Sequence, residues 1–220
     1  MTDEVLERNV IDELLWDPQI DGEAIAVFAD AGIVTLRGTV GSFRRKREAK
    51  RAAERVYGVR NVNNKLDVDI LVEHRREDAE IRGDVLQALM LDALVPTTID
   101  AMVNDGIVTL TGTAQWRYQC DEAEFVAANI LGVIDVENDV DILSAVPDAG
   151  EAHHSIKKAL ERNAKLDAEN IAVSSSHGRV TLTGSVRSWS EHDAAVTAAW
   201  SAPGIITVDD RLRVNYWTHL

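Results

Sequence analysis

The sequence predicts an α+β protein built from three tandem α-β-β-α-β units, each a small three-stranded mixed sheet with two helices on one face. Two repeated segments predict this architecture. Residues 32–39 read GIVTLRGT and recur as GIVTLTGT at 106–113 and GRVTLTGS at 178–185, while GVRNV at 58–62 recurs as GVIDV at 132–136 and GIITV at 204–208. Both segments recur at intervals of 74 and then 72 residues, so spacing is repeated along with residue type. We expect domains at 1–72, 76–145 and 150–218.

A helix is expected to open each copy, because apolar residues recur there at helical spacing. They are Val10, Ile11, Leu14 and Leu15 in the first copy, Ile81, Val85, Leu86 and Leu89 in the second, and Ile156, Ala159 and Leu160 in the third. Pro18 and Pro96 mark positions at which the first two of these helices have ended.

Two strands joined by a tight turn should follow. The turn reads Asp30-Ala31-Gly32 in the first copy, Asn104-Asp105-Gly106 in the second and Ser176-His177-Gly178 in the third. Glycine, asparagine and aspartate supply the positive φ that a close hairpin requires. In the strand after the turn, Val34 and Leu36 alternate with Thr35 and Arg37, which predicts one buried face.

A second helix and a third strand complete each copy. Small apolar residues form one stripe of this helix: Ala49, Ala52, Ala53 and Val56, then Ala123, Val126, Ala127 and Ile130, then Ala195, Ala198 and Ala199. Such a stripe lets a helix approach a sheet closely. The glycine at 58, 132 or 204 is expected at the C-cap of the helix, with the third strand directly after it.

These residues resemble the BON (bacterial OsmY and nodulation) domain in the pattern G-x-V-T-L-x-G, an alanine-rich helix, and G-[VI]-x-x-V followed by Asn64, Asn138 or Asp210. The likeness covers nearly the whole chain as three copies. It implies the α-β-β-α-β fold, no recognised enzymatic activity, and a link to osmotic or general stress. It also implies binding to phospholipid surfaces, to proteins or, in some relatives, to potassium.

Composition excludes several functional classes. Of the 220 residues, 23 are Lys or Arg and 37 are Asp or Glu, which gives a net charge of −14. Long-range repulsion of nucleic acid and of anionic membrane faces disfavours a general polyanion binder, and we expect no nucleic-acid partner. The single cysteine, Cys120, cannot form an intramolecular disulfide and fits a reducing compartment. We see no signal peptide and no membrane-spanning stretch, so we expect a cytoplasmic protein, peripheral at the membrane if it binds there.

Charge is distributed unevenly among the copies. Residues 1–72 carry a net charge of −2, residues 73–146 of −11, and residues 147–220 of −1. The second helix of the first copy is nonetheless basic, and it supplies our candidate surface-binding residues: Phe43, Arg44, Arg45, Lys46, Arg47, Lys50, Arg51 and Arg55. They could dock on a protein partner or an anionic membrane, could form a solvated helix face, or could pair with the acidic second copy in self-association.

The repeated glycines have a structural role in this interpretation, since each has a sufficient local reason. They are Gly32, Gly38, Gly58, Gly106, Gly112, Gly132, Gly178, Gly184 and Gly204. Aromatic residues near the second helices have two interpretations. Phe43, Trp116 and Trp189 are either hydrophobic staples on their own cores or exposed interface contacts. Trp200, Tyr216 and Trp217 favour an aromatic cluster docked on the last sheet.

We predict no catalytic and no metal site. Asp135, Glu137, Asp139 and Asp141 alternate along one strand and lack the pattern of a calcium loop, which favours a solvated face. His153, His154 and His192 lack zinc-site spacing. Acidic neighbours disfavour thiolate chemistry at Cys120. No cofactor is expected, although a potassium ion held by backbone carbonyls would leave no side-chain pattern, so a small-cation sensor is the alternative to a docking protein.

Overall fold

A computed structural model describes residues 2–70, 76–143, 149–162 and 170–216, with the side chains of 149–153 left out. Each copy has the predicted order of elements. The first contains α1 (Asp3–Trp16), β1 (Ile25–Asp30), β2 (Ile33–Val40), α2 (Phe43–Arg55) and β3 (Asn61–Val68). The second contains α3 (Asp78–Leu91), β4 (Ile99–Asn104), β5 (Ile107–Ala114), α4 (Arg117–Ala128), β6 (Asp135–Asn138) and β7 (Asp141–Ile142). The third contains α5 (Ala149–Arg162), β8 (Ile171–Ser176), β9 (Arg179–Val186), α6 (Trp189–Trp200) and β10 (Thr207–Val214). The predicted fold class is confirmed.

Each sheet is mixed, with the second strand of the copy in the middle. In the first copy β2 runs antiparallel to β1, pairing Ile25 with Gly38, and parallel to β3, pairing Ile33 with Asn61. The third copy repeats this arrangement, with β9 between β8 and β10. In the second copy the last strand is split, and its two parts, β6 and β7, both pair with β5. The parallel pairing requires the helix between those strands to cross over the sheet.

The hairpin turns contain two consecutive residues with positive φ. The pairs are Ala31 at 50° with Gly32 at 84°, Asp105 at 49° with Gly106 at 75°, and His177 at 48° with Gly178 at 76°. Two successive positive φ angles are typical of the type I′ turn, whose twist matches that of the strands it joins. Aspartate tolerates this conformation better than alanine does, so the first copy has the more strained turn.

All nine motif glycines have positive φ, between 75° and 132°. The most restrictive set lies near the end of the middle strand. At Gly38 a Cβ atom would lie 2.1 Å from the carbonyl oxygen of Ala24, and at Gly112 it would lie 2.1 Å from that of Thr98. Gly58, Gly132 and Gly204 differ from expectation. α2 ends at Arg55 with Val56 as its C-cap, α4 ends at Ala128, and α6 ends at Trp200 with Ser201 as its C-cap, so each glycine lies in the following loop. The chain needs an extra turn there before the last strand.

Both helices of a copy pack on one face of its sheet. The core of the first copy combines Leu6, Val10 and Leu14 of α1, the alanine stripe of α2, and inward residues of all three strands. Ile11 and Leu15, which were predicted in the buried stripe, are 38% and 53% exposed. The buried stripe consists of Leu6, Val10 and Leu14, which are four residues apart. The side chains of Ile11 and Leu15 therefore point away from the sheet.

The first two copies, apart from residues 115–117, form one compact unit, and the third copy belongs to a second. Among the described residues, each helix is too short or too polar to traverse a bilayer.

Candidate functional site

The candidate site is the outer face of α2. The helix begins after Ser42, whose Oγ accepts a hydrogen bond from the backbone N–H of Arg45 at 3.3 Å and so caps one free amide. Ala49, Ala52 and Ala53 are fully buried against the sheet. Their small side chains bring the helix axis close to the strands, and the remaining positions are free to carry charge.

The three structurally equivalent helices differ sharply in charge. Seven basic and two acidic residues give α2 a net charge of +5, whereas one basic and three acidic residues give α4 a charge of −2, and two acidic residues give α6 a charge of −2 with its histidine neutral. The same buried alanine pattern therefore supports opposite surfaces. The positive one occurs in the first copy.

The C-terminal half of α2 is neutralised within the protein. Arg55 donates from Nε to Glu13 Oε1 at 3.0 Å and from Nη2 to Asp17 Oδ2 at 2.9 Å, both from α1 and its C-cap. Arg51 pairs with Glu48 at 2.9 Å. Lys50 lies 3.6 Å from Glu54. These four pairs tie basic side chains to carboxylates of the same copy.

The ion pair between Asp17 and Arg55 shifts the pKa of both groups. The backbone N–H of Gln19 and the guanidinium of Arg55 donate to the Asp17 carboxylate and lower its pKa below the usual range. Burial by itself lowers the pKa of Arg55, but hydrogen bonds and charge from Asp17 and Glu13 outweigh it and raise that pKa. Both shifts favour the charged pair.

The N-terminal end of α2 is different. Arg44 donates from Nη2 to the neutral Gln19 at 3.3 Å. Within the part of the chain that the structure describes, no carboxylate pairs with the side chains of Arg44, Arg45 or Lys46. Arg44 and Arg45 are exposed and Lys46 is half-buried. We call these three residues the basic cluster.

The basic cluster lies where helix electrostatics disfavour it. The N-terminus of a helix carries a partial positive charge, so acidic residues are preferred there and cations cost about 0.3–1 kcal/mol each. α1, α3 and α6 follow the preference with acidic residues in their first turns, whereas α2 and α4 have none, and only α2 of these two has three basic residues there. Three cations added to the positive helix end concentrate the field for an anion.

Arg47 and Phe43 are not available as predicted. Arg47 Nη1 lies 3.5 Å from Glu124 Oε1 of α4, so it contacts the second copy within the same chain. Phe43 is 8% exposed and packs inward, which corrects its inclusion among the surface-binding residues. A large aromatic side chain directly after the N-cap is better accommodated against the core than in water.

A model of the BON domain matches residues 2–69, 77–144 and 149–216. The chain belongs to the BON domain family. It is also similar to the osmotically-inducible protein Y of Escherichia coli (strain K12), with 32% identity over 145 residues, which is 64% of this chain and 72% of that protein.

Two solved structures of CdsD, a structural protein of the type III secretion system of Chlamydia trachomatis, are similar at a low level. One is 16% identical, covers 94% of this chain and 91% of its own, and has a TM-score of 0.26. The other, the C-terminal domain, is 15% identical, covers 98% and 100%, and has a TM-score of 0.27. Scores this low carry no argument about the BON copies.

The sequence prediction missed an exposed aromatic beside α2. Trp16, at the end of α1, is 85% exposed, and it lines a shallow depression with Val56 at the C-cap of α2. The sequence alone fits more than one stripe in α1, and the observed core stripe of Leu6, Val10 and Leu14 leaves Trp16 outside it. Trp116 and Trp189 are half-buried. Trp189, Trp200 and Tyr216 pack on the third core, while Trp217 lies outside the described residues.

The other candidates of the sequence analysis behave as surface or core groups. Glu137, Asp139 and Asp141 are exposed along the split strand. The described residues contain no group of three or more His, Cys, Asp or Glu side chains that could hold a metal. Cys120 is buried. His154 is exposed, and the side chain of His153 lies outside the described set.

A cleft of about 430 Å³ lies in the first unit between the end of β3, the start of α3 and the β4–β5 turn. Its central carboxylate, Asp78, is already satisfied because its two oxygens accept the backbone N–H groups of Asp105 and Gly106 at 2.8 and 2.9 Å. Arg76, also on the wall, pairs with Asp84 and Glu80. These contacts hold the turn against the helix rather than leaving polar groups for a ligand.

Proposed function

We propose that this BON protein is a non-catalytic docking protein that binds anionic phospholipid surfaces through the basic cluster Arg44, Arg45 and Lys46. The observation that carries the proposal is a set of three cations, at the positive end of α2, that have no carboxylate partner among the residues the structure describes. Local stability disfavours this arrangement, and a residue pattern that opposes its local preference is typical of a functional site.

The number of cations in the basic cluster determines the expected affinity for an anionic membrane. Each Lys or Arg near an anionic membrane contributes about 1 kcal/mol, so three contribute about 3 kcal/mol, or roughly a hundredfold in affinity. The net charge of the chain, −14, opposes approach at long range. The attraction therefore acts locally, within a Debye length of about 8–10 Å at moderate salt, and is weakened by added salt.

The family and its relative support a binding role linked to stress. The BON copies account for nearly the whole chain, and the similar protein of Escherichia coli is named for osmotic induction. We extend that association to this chain as part of the proposal. Docking on a membrane surface requires neither a cofactor nor a catalytic group.

Vesicle co-sedimentation tests the proposal. We expect wild-type protein to sediment at low salt with phosphatidylcholine vesicles that contain phosphatidylglycerol, and not with phosphatidylcholine alone. R44Q/R45Q/K46Q should reduce binding about a hundredfold. The matched control, K50Q/R51Q/R55Q, removes the same charge from side chains already paired with carboxylates, and it should reduce binding only a few-fold.

Three outcomes would contradict the proposal. Equal losses in both variants would mean that net charge alone matters, and equal binding to neutral vesicles would remove the electrostatic basis. Absence of sedimentation with every vesicle would exclude membrane docking and direct attention to acidic protein partners.

Self-association is a second candidate, favoured by the Arg47–Glu124 contact between α2 and the acidic second copy. A basic helix of one chain could meet the acidic copy of another in the same manner, because complementary charge steers association. Sedimentation velocity at low and high salt tests it. A salt-dependent dimer that is lost in R44Q/R45Q/K46Q would support it, and a monomer at all salt concentrations would refute it.

A further inference from the structure

The contact that links the second helix to the last strand is different in the third copy from that in the first two. In the first copy, Asn64 on β3 donates from Nδ2 to the backbone carbonyl of Lys46 in α2 at 2.7 Å. In the second, Asn138 on β6 donates in the same way to the carbonyl of Cys120 in α4 at 2.8 Å. We call these two contacts amide fasteners: the donor and the carbonyl acceptor are not titratable, and in the second copy Asn138 Nδ2 also lies 3.5 Å from Glu124 Oε2.

Asp210 occupies the equivalent position on β10, and a carboxylate cannot donate the bond that the asparagines donate. It retains the other half of their role. Asp210 Oδ1 accepts the N–H of Leu212 at 3.0 Å, as Asn64 Oδ1 accepts that of Leu66 and Asn138 Oδ1 that of Val140. Its second oxygen, Oδ2, lies 2.7 Å from His192 Nε2.

His192 stands at the position of Lys46 and Cys120, so the side chain of this residue replaces the helix carbonyl as the fastening partner. The imidazole is held from several sides. Its side chain is 14% exposed, Trp189 meets it edge-on with ring centroids 4.8 Å apart, and Nδ1 lies 3.3 Å from Asp193 Oδ1. Both ring nitrogens thus face carboxylates. The imidazolium can donate to both, whereas neutral imidazole has one N–H.

We propose that His192 and Asp210 form a protonation-dependent fastener that holds α6 to β10 in the third copy alone. Asp210 is the principal anchor, since it is nearer than Asp193 and its side chain is 31% exposed against 73%. Loss of the proton from His192 removes both the charge attraction and one of the two donors.

The charged side chains near the His192–Asp210 pair on α6 and β10 are engaged in other contacts. On α6, the carboxylate of Glu191 is occupied by the backbone N–H and Nε of Arg187. On β10, Asp209 pairs with Arg211. β9 places the buried Leu182 opposite Asp210, and α5 contributes Ile156 and Leu160 to the same core. Burial lowers the pKa of His192, but the hydrogen bond to Asp193 and the charge and hydrogen bond of Asp210 outweigh it, so the pKa is raised.

A raised pKa in the folded state means that the fastener stabilises the third copy fully below the ordinary histidine pKa of about 6.5. Its contribution is lost as the pH rises through the higher value in the folded protein. The first two copies have no such dependence at this position.

Hydrogen exchange of the full-length chain tests the proposal, with protection of α6 expressed relative to α4 at each pH so that intrinsic exchange rates cancel. We expect relative protection of α6 to fall roughly three- to tenfold between pH 6 and pH 8.5. D210N, which restores the amide of the other copies, should make that ratio independent of pH. H192K, which places the lysine of the first copy there, should do the same with a permanent cation.

An NMR titration of the imidazole provides a second readout. The wild-type histidine should titrate above its ordinary value, and D210N should shift that titration downward. A flat protection ratio in the wild-type protein would overturn the proposal. So would an unchanged pH dependence in D210N, because it would place the titrating group elsewhere.

Discussion

α2 and α4 occupy the same place in two copies of one fold and present opposite surfaces. Ala49 and Ala53 of α2 correspond to Ala123 and Ala127 of α4, and all four are fully buried. Outside this stripe, α2 carries a net charge of +5 and α4 of −2. The fold thus constrains the inner stripe and the glycines, while the outer helix face is free to acquire a separate function in each copy.

The largest effect should come from what the copies share. G38A and G112A should each destabilise their copy by about 3 kcal/mol or more, because the added Cβ would meet a carbonyl oxygen at 2.1 Å and φ is positive. Thermal unfolding and the circular dichroism spectrum measure the loss. The control is G83A in the interior of α3, where nothing lies within 4 Å, and it should stabilise by about 0.5–1 kcal/mol. Equal effects at all three sites would refute the shared constraint.

The difference between the helices should be transferable. Y118R/D121R places arginines on α4 at the positions of Arg44 and Arg47, on side chains that are exposed. We expect binding to anionic vesicles to strengthen by about 2 kcal/mol, or roughly thirtyfold, with stability changed by less than about 0.5 kcal/mol. Vesicle co-sedimentation measures it, with Y118Q/D121N as the control. Unchanged binding would mean that added positive charge on the outer face of this helix is not sufficient for docking.

The hairpin turns provide a smaller contrast. Ala31 holds φ at 50° where the second copy has Asp105 at 49°. Asparagine tolerates this conformation, so A31N should raise stability by about 1 kcal/mol, which corresponds to a rise of about 2–4 °C in melting temperature. D105N should change little. A lower melting temperature for A31N would show that contacts of Ala31 outweigh the strain.

The smallest effect concerns the tie between α1 and α2. Arg55 pairs with Glu13 and Asp17, whereas Asn129 stands at its position in the second copy and donates to the carbonyl of Phe125. R55Q should cost about 0.5–1 kcal/mol at neutral pH. Because the pKa of Asp17 is lowered, this stabilisation is present above the ordinary carboxyl range and lost as the pH falls through the lower value. Urea unfolding at pH 7 and pH 2.5 measures the difference, with R51Q as the control. A cost that persists at pH 2.5 would exclude the ion pair as its source.

The fold could be predicted from local sequence patterns, whereas the residues of the candidate site depend on non-local contacts. The alternation of Val34 and Leu36 and the stripe at Ala49 and Ala53 depend only on residue spacing, so strands and helices could be assigned. The basic composition of α2 was equally visible. Which cations remain without a carboxylate was not, because Glu13 and Asp17 reach Arg55 from about forty residues away in sequence.

Errors occurred where a side chain's direction mattered. Leu15 was assigned to the core because adjacent apolar residues at a helix end fit more than one stripe, and only the packing of Leu6, Val10 and Leu14 selects among them. Phe43 was offered as a surface contact although a position directly after an N-cap can point either way. The Asp210–His192 pair was missed, although Asn64, Asn138 and Asp210 were recognised as equivalent, because the contact joins a helix to a strand 18 residues further along the chain.

In each copy the strand that completes the sheet is also the last element in the sequence, and this order has a consequence for biosynthesis. β3 pairs with β2 along its whole length, so the first sheet can be completed as soon as residue 68 has left the ribosome. The pentapeptide GIVTL occurs identically at 32–36 and 106–110. Since domains generally fold as they emerge from the N-terminal side, the first GIVTL strand has both of its partners before the second has emerged. Sequential emergence thereby protects identical strands from exchanging partners.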